Sequence, residues 1–176
     1  MSRKNAWVVG GTSGIGLATA AILKKRGRSV LTTGQEDDVR EWSELEWIYT
    51  DVILPNLGDL HELVYCAGVN DLVWLGKMGP DYDYTGLLDV NVAGFVRLCD
   101  ILADYSVENL RVVVVGSDAA ERPMRTSMLY CASKAALHMA AQVAAREMAA
   151  VGWRVNVVAP GMTSDTNMTK YIDDTV

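Results

Sequence analysis

Short apolar runs alternate along the chain with longer segments whose apolar residues recur at helical spacing. Six of the runs predict buried strands, because they are short, rich in β-branched residues and bounded by glycine, proline or aspartate. They cover residues 6–9, 29–33, 47–50, 63–67, 110–115 and 154–159. Runs that are apolar almost throughout are typical of strands covered on both faces. The pattern predicts an α/β fold, in which a doubly wound parallel sheet of about six strands has helices on both faces.

The segments between these runs predict three helices and one long loop. Apolar residues at helical spacing cover residues 17–26, 85–105 and 127–150. Residues 70–84 contain two glycines and a proline and predict a loop. Residues 41–46 are ambiguous, and the connection between the third and fourth strands leaves little room for a crossover helix. With 176 residues, no repeat and no linker, the chain predicts a single domain that spans residues 1–176.

Composition excludes several classes of function. A formal net charge of -6 argues against a nucleic-acid-binding protein, because phosphate binding needs a basic patch. The three cysteines and two histidines are spaced for neither a disulfide framework nor a metal site. We therefore expect buried thiols, no metal and a reducing compartment. No apolar run reaches the roughly 18 residues of a membrane helix, and no signal peptide precedes the first strand. These features predict a cytoplasmic protein without a membrane partner.

Several candidate functional residues directly follow predicted strands. Gly10, Asp51, Gly68, Ser117 and Pro160 each stand at the carboxyl end of one strand. In an open parallel sheet the ligand binds in the crevice at that edge. The chemistry of the chain is therefore expected to collect along one edge of the sheet.

A glycine-rich stretch with Gly10, Gly14 and Gly16 joins the first strand to the first helix. Glycine permits a tight turn and a close approach of a pyrophosphate to the backbone, and a helix N-terminus presents free N–H groups. The spacing is neither G-x-G-x-x-G nor that of a P-loop, since Leu17 stands where the P-loop has its lysine. The stretch predicts a dinucleotide site, and a glycine-rich turn without a ligand is the alternative.

Tyr130 and Lys134 stand four residues apart in the last predicted helix and so share one face of it. An ammonium beside a phenol lowers the pKa of the phenol. Ser117, at the end of the preceding strand, comes near the start of this helix. Such a Tyr–Lys pair also occurs by chance on solvated helix faces. Together with a dinucleotide site, the three residues predict hydride transfer at a carbon that bears oxygen.

In its ordered set of motifs the chain resembles the short-chain dehydrogenase/reductase family, of the short single-domain type. The resemblance runs from the N-terminus to about residue 168 and implies a Rossmann-like fold. It implies a catalytic set of Asn91, Ser117, Tyr130 and Lys134. It also implies a cofactor site made by the glycine-rich turn, the strand ends and a Pro-Gly motif: Gly10, Thr12, Ser13, Gly14, Ile15, Gly16, Gly34, Gln35, Asp51, Val52, Ala67, Gly68, Lys134, Pro160, Gly161 and Thr163.

The resemblance implies an NAD(P)-dependent oxidoreductase that interconverts an alcohol and a carbonyl in a small-molecule substrate. Tyr130 would exchange a proton with the substrate oxygen, which Ser117 would hydrogen-bond, and Lys134 would hold the nicotinamide ribose. Asn91 would anchor a water in a proton relay, and Asp51 would contact the adenine. The second strand ends without the acid that grips the ribose 2′-OH of NAD, which favours NADP over NAD, although Glu36 and Asp37 follow and would disfavour a 2′-phosphate.

The chain also departs from the family pattern. Val9 replaces a threonine before the first glycine, and Tyr65 and Cys66 replace paired asparagines. The helix between the third and fourth strands is expected to be missing. The chain ends at Val176 without room for the last helix and seventh strand, so the resemblance is to a family member truncated at its C-terminus. Residues 165, 166 and 168 are expected to form a shortened lid.

These departures keep other functions open. A non-catalytic dinucleotide-binding sensor or scaffold is the main alternative, because the pocket end is short and Tyr65-Cys66 replaces the asparagines. The intact catalytic set argues against it, since a binding module needs no proton donor. An epimerase fits less well, because its glycine spacing differs and this chain lacks a nucleotide-sugar domain. Family resemblance and small residues in the last helix imply a homodimer through the helices at 85–105 and 127–150.

Overall fold

A sheet of five parallel strands forms the centre of the computed structural model, which describes residues 4–164, 166 and 168. The spatial order is β2-β1-β3-β4-β5, and each strand runs parallel to its neighbours. The carboxyl ends of the five strands therefore meet at one edge. The strands are β1 Asn5–Val9, β2 Ser29–Thr33, β3 Glu62–Tyr65, β4 Arg111–Val115 and β5 Arg154–Val158.

Helices connect consecutive strands, and two of these connections widen into π-helical turns. The α-helices are α1 Gly14–Lys25, α2 Trp42–Trp47, α3 Leu54–Leu57, α4 Gly86–Leu88, α5 Gly94–Asp104 and α6 Met128–Glu147. The π-helical turns Ile48–Ile53 and Asp89–Ala93 join α2 to α3 and α4 to α5, and 3₁₀ turns cover Asp118–Ala120 and Met148–Val151. The architecture is α/β and Rossmann-like, and this prediction is confirmed.

The third predicted strand, at residues 47–50, is wrong. These residues lie inside a continuous helical run that begins with α2 and ends with α3. The buried side chains of this run are Leu45, Ile48, Tyr49 and Ile53, whose spacing of three, four and eight residues is that of one helix face. The apolar cluster at 47–50 resembles a strand only when Leu45 and Ile53 are left out. Within the described residues the sheet consequently has five strands instead of six. The helical run at 42–57 is the crossover between β2 and β3, so the expectation that no full helix fits before residues 63–67 is also wrong.

The main hydrophobic core lies between the sheet and the face covered by α5 and α6. Trp7, Leu63 and Val112 enter it from three neighbouring strands, and Leu98 and Leu137 enter it from the two helices. Full burial of side chains of this size stabilises the fold by roughly 1.5–3 kcal/mol each. The core fixes the ends of β3, β4 and α6 relative to one another, and these ends carry Ala67, Gly68, Ser117, Tyr130 and Lys134 of the predicted site.

Candidate active site

A single continuous cleft of about 480 Å³ runs along the carboxyl edge of the sheet. We call the part formed by Gly34, Gln35 and residues 37–40 the β2 end, because it follows β2. The opposite part, the α6 end, lies where β4, α6 and the segment after β5 meet, and it includes Ser117, Asp118, Met124, Tyr130, Lys134, Pro160, Gly161, Met162 and Met168. The glycine-rich turn lies along the same cleft.

Two glycines of the glycine-rich turn leave no room for a side chain. Gly10 has a φ of +74°, and a Cβ on it would lie 2.7 Å from the backbone nitrogen of Ala67. A Cβ on Gly16 would collide with the carbonyl of Gly10. The turn therefore brings bare backbone to the cleft, as a close-approaching ligand requires.

The N-terminus of α1 opens into the cleft without a side-chain cap. Ser13 is the N-cap residue, but its side chain accepts no hydrogen bond, and the first turn contains no acidic residue. The first N–H groups of a helix have no partner within the helix and favour an anion through the helix dipole. Because Ser13, Gly14, Ile15 and Gly16 line the cleft, the donors here suit a phosphate or pyrophosphate.

Tyr130 and Lys134 lie one helical turn apart on the buried face of α6. Tyr130 is 8% exposed and Lys134 is 3% exposed. The ammonium of Lys134 donates a hydrogen bond of 3.3 Å to the Val115 carbonyl at the end of β4 and lies 5.7 Å from the centre of the Tyr130 ring. The Ser117 hydroxyl lies near enough to the Tyr130 phenol to lower the pKa of that phenol. The structure thus brings the three predicted reacting side chains together.

The pKa values of Tyr130 and Lys134 differ from what their spacing on the helix predicts. Burial raises the pKa of Tyr130, and the neighbouring Ser117 hydroxyl only partly opposes that rise. Burial also lowers the pKa of Lys134 to about 8. We expected Lys134 to lower the pKa of the phenol, but in this structure burial dominates for both groups.

Asn91 pins the loop after β3 to α6. It is 0% exposed and lies in the π-helical turn Asp89–Ala93. Its side chain accepts a hydrogen bond of 2.7 Å from the N–H of Val69 and donates bonds of 2.9 Å to the Val69 carbonyl and the Ser133 hydroxyl. Asn91 does not line the cleft, but a Cβ on Gly68 would lie 3.3 Å from both its Oδ1 and the Lys134 Nζ. Asn91 therefore borders the site through Gly68.

Tyr65 bonds the same π-helical turn. Its phenol donates a hydrogen bond of 2.7 Å to the Val90 carbonyl, and its ring packs edge-on against Phe95. Although Tyr65 replaces an asparagine of the family pattern, its side chain still joins β3 to the turn that carries Asn91. Cys66 lines the cleft, and burial raises the pKa of its thiol to about 12, so the thiol stays protonated at neutral pH.

The β2 end includes two acidic residues, Asp37 and Asp38, that the predicted cofactor site did not contain. The Asp37 carboxylate accepts a hydrogen bond of 2.8 Å from the N–H of Gly34, directly after β2. Asp38 forms an ion pair with Arg40, with a shortest distance of 2.6 Å, and between them Val39 is 6% exposed and packs in the main core. The sequence signal for this turn was an aspartate three residues after a strand-ending glycine.

Asp51 and Val52 do not belong to the cleft, so their assignment to the cofactor site is wrong. Both residues lie in the π-helical turn Ile48–Ile53, and Asp51 is exposed and accepts a hydrogen bond of 2.6 Å from the Thr50 hydroxyl. The assignment failed with the third strand, because an acid after residues 47–50 reaches the sheet edge only if those residues form a strand. Asp37 and Asp38 occupy the cleft instead.

The remaining predicted cofactor residues all line the cleft: Gly10, Thr12, Ser13, Gly14, Ile15, Gly16, Gly34, Gln35, Ala67, Gly68, Lys134, Pro160, Gly161 and Thr163. Two residues of the predicted lid also line it, since Thr166 lies 3.6 Å from a Cβ placed on Gly14 and Met168 lies 3.6 Å from one placed on Gly68. The third lid residue, Asp165, is outside the described residues.

Two negative findings apply to the described part of the chain. No group of three or more His, Cys, Asp or Glu residues within it could hold a metal ion. Among residues 4–164, 166 and 168, no helix is both long and apolar enough to cross a membrane.

Comparison with known families identifies the class of this protein. The family model for short chain dehydrogenases matches residues 31–176, so the chain belongs to that family. It is therefore an NAD(P)-dependent oxidoreductase that acts on CH–OH groups. The matched range begins inside β2 and leaves out the glycine-rich turn.

Individual relatives are distant but cover nearly the whole chain. The chain is 31% identical over 194 residues to the 2,3-dihydro-2,3-dihydroxybenzoate dehydrogenase of Escherichia coli, covering 98% of this chain and 75% of the relative. It is 28% identical over 186 residues to the 3-oxoacyl-(acyl-carrier-protein) reductase MabA of Mycobacterium avium, covering 98% and 72%. A crystal structure of a dehydrogenase/reductase from Sinorhizobium meliloti matches with a TM-score of 0.79 at 25% identity, covering 96% of this chain and 75% of that one.

Proposed function

We propose that the protein interconverts an alcohol and a carbonyl compound, with NAD(P) as the hydride carrier and Tyr130 as the group that exchanges the proton. The observation that carries this proposal is the meeting of Tyr130, Ser117 and Lys134 at one end of the cleft that contains the open N-terminus of α1. Hydride transfer at a carbon that bears oxygen needs a proton-exchanging group and a site for an anionic dinucleotide side by side.

Tyr130 acts as general acid towards a carbonyl oxygen and as general base towards a hydroxyl. Burial raises its pKa, so the phenol is protonated at neutral pH and is suited to donate a proton to a carbonyl. Ser117 hydrogen-bonds the same oxygen and stabilises the charge that develops on it. When bound, the nicotinamide of the cofactor supplies or accepts the hydride.

The residues of the cleft fit a dinucleotide by their chemistry. The uncapped first turn of α1 offers N–H donors for a pyrophosphate. Gly10 and Gly16 leave backbone alone at the closest approach. Lys134 carries the ammonium that would hold the hydroxyls of the nicotinamide ribose, and Gly68 lies directly beside it.

The cofactor preference follows from the β2 end, and we propose NAD. The sequence favoured NADP because no acid ends β2. The Asp37 carboxylate, however, folds back onto the Gly34 N–H and lines the cleft. Arg40 is the cation of this turn, and Asp38 occupies its guanidinium. A carboxylate without an ion pair among the described residues, beside an arginine that is already paired, accepts a ribose 2′-OH and repels a 2′-phosphate.

A homodimer through α5 and α6 stays a proposal, as does a cytoplasmic location. Val96 on α5 and Met139 and Val143 on α6 are exposed apolar side chains, and Met139 and Val143 stand one helical turn apart. Exposed apolar side chains grouped on paired helices are suited to an interface. Light scattering at micromolar concentration tests this, and a monomer would contradict it.

Calorimetric titration of the chain with NADH, NADPH, NAD and NADP tests the proposed function. We expect micromolar binding of NADH and weaker binding of NADPH. A bound cofactor that reduces no ketone would favour the alternative function, a dinucleotide-binding sensor or scaffold. Binding of none of the four would overturn the proposal.

A further inference from the structure

The α6 end of the cleft carries a carboxylate that the proton exchange does not use. Asp118 directly follows Ser117, and its Oδ1 lies 3.4 Å from the Ser117 hydroxyl. Its own N–H donates a hydrogen bond of 3.1 Å to the Pro160 carbonyl, and its Oδ2 lies 3.5 Å from a Cβ placed on Gly161. The carboxylate is therefore fixed between the serine and the Pro160–Gly161 turn.

This carboxylate has no cationic partner among the residues that the structure describes. The four ion pairs found there involve Glu62, Asp38 and Asp89 as the acids. Lys134 is the other charged residue of the α6 end, but it is 3% exposed and its ammonium is bonded to the Val115 carbonyl. A substrate at the Tyr130 hydroxyl thus meets a carboxylate that forms no ion pair within the described residues.

The field of Asp118 reaches the reacting phenol. Burial is the main cause of the raised pKa of Tyr130, and the charge of Asp118 raises it further. The 3.4 Å contact of Asp118 with the Ser117 hydroxyl and the cleft lining that both share with Tyr130 bring a substrate oxygen beside the phenol within range of the same charge. Like charges about 6 Å apart at an effective dielectric constant of about 20 weaken binding on the order of 10- to 100-fold.

The other side chains of this end are apolar and adaptable. Met124, Met162 and Met168 line the cleft, and all three are more than a third exposed. Methionine is unbranched and polarizable, so it adapts to apolar bodies of different shape. None of these side chains offers a positive charge to an anionic group on the substrate.

We propose that Asp118 makes the α6 end selective for uncharged carbonyl compounds with an apolar body, and against substrates with an anionic group near the reacting carbon. This inference rests on the proposed carbonyl–alcohol activity and names the substrate class for it. On this proposal the chain disfavours carboxylate substrates, whereas one relative is named for a carboxylate, 2,3-dihydro-2,3-dihydroxybenzoate.

The test uses 4-oxoalkanoic acids with apolar tails of increasing length, each paired with its ethyl ester. Reduction of both members is followed by cofactor oxidation for the wild-type chain, Asp118→Asn and Asp118→Ser. The matched control is Glu108→Gln, because Glu108 is an exposed acid just before β4, at the opposite edge of the sheet. Cofactor affinity is measured for every variant, so that a misfolded variant is recognised.

We expect the wild-type chain to prefer each ester over its acid at least tenfold in kcat/KM. Both Asp118 variants should reduce that preference about tenfold through a lower KM for the acid, and Glu108→Gln should leave it unchanged. An unchanged preference in both Asp118 variants, or cofactor binding without reduction of any ester, would overturn the inference and leave the cofactor site intact. Failure to bind any cofactor would instead overturn the proposed function.

Discussion

The two ends of the cleft differ in how the protein supports their functional side chains. At the α6 end, Tyr130 and Lys134 stand on a 20-residue helix and are almost fully buried. At the β2 end, Asp38 and Arg40 belong to a turn and hold each other in an ion pair whose side chains are 29% and 49% exposed. Exposed pairs of this kind contribute roughly 0–1 kcal/mol, whereas buried polar groups that lose a partner cost about 1–3 kcal/mol.

This difference indicates which properties each end controls. Buried groups have few alternative positions, so substitutions at the α6 end should change turnover or folding. Charges at the β2 end are solvated and adjustable, so substitutions there should change cofactor affinity and leave the fold intact. On the proposed function, burial fixes the groups that react and an exposed turn sets the preference for NAD or NADP.

The largest expected effect is on turnover in Tyr130→Phe. Removing the phenol hydroxyl leaves nothing to exchange the proton, and turnover should fall about 10²- to 10⁴-fold. NADH affinity should stay the same, because the ring and its packing remain. Steady-state rates and calorimetric titration measure the two effects. Tyr105→Phe is the control, since Tyr105 is exposed and bonds Glu46 outside the cleft. Turnover of Tyr130→Phe equal to that of the control would contradict the proton-exchange role.

The next effect concerns the free energy of unfolding of Asn91→Ala. The substitution leaves the Val69 N–H, the Val69 carbonyl and the Ser133 hydroxyl without the partner they have in the wild-type chain. We expect a loss of about 2–4 kcal/mol in urea unfolding. Asn56→Ala is the matched control, because the Asn56 side chain is exposed and bonds one carbonyl. A loss no larger than that of the control would mean that Asn91 does not hold the loop after β3.

Lys134→Met should stabilise the fold at pH 7. Burial lowers the pKa of Lys134 from 10.5 to about 8, so the native state disfavours the ammonium wherever the unfolded state carries it. The penalty is complete below about pH 8 and is relieved as the pH rises towards 10.5. The gain of the variant, on the order of 1–3 kcal/mol at pH 7, should therefore shrink across that range.

Urea unfolding of both proteins at several pH values through this range measures the effect. Lys24→Met, at an exposed position near the end of α1, is the matched control. A stability difference between Lys134→Met and the wild-type chain that does not change with pH would contradict the burial argument. Turnover of Lys134→Met should fall at the same time, because the variant lacks the ammonium that is proposed to hold the hydroxyls of the nicotinamide ribose.

Ser117, Tyr130 and Lys134 of the α6 end could be predicted, because local rules determine their positions. Tyr130 and Lys134 share a helix face by their spacing, and Ser117 reaches them because a strand end in a parallel sheet lies at the ligand edge. The hydrogen bond of Tyr65 to the π-helical turn could not be predicted. It depends on a widened turn 25 residues away in the chain, which no local pattern specifies.

The exclusion of Asp51 and Val52 from the cleft could not be predicted, because their position depends on how residues 42–57 fold. The apolar residues at 47–50 satisfy a strand pattern and a helix pattern equally, and packing of Leu45 and Ile53 into the core decides for the helix. Once those residues were read as a strand, Asp51 and Val52 followed a predicted strand end and were assigned to the adenine side of the cofactor. A wrong element thus placed two residues in the cofactor site that lie outside the cleft.

The smallest expected effect is a change of cofactor preference in Asp37→Ser. The Asp37 carboxylate bonds the Gly34 N–H at the end of β2 and lines the cleft, where it would repel a 2′-phosphate. Serine keeps a hydrogen-bond acceptor and removes the charge, so the affinity ratio of NADPH to NADH should rise about tenfold, as measured by calorimetric titration. Glu36→Gln is the matched control, because Glu36 is an exposed neighbouring acid outside the cleft lining. An equal shift in both variants would show that net charge of the turn, rather than the carboxylate fixed at Gly34, decides between the two cofactors.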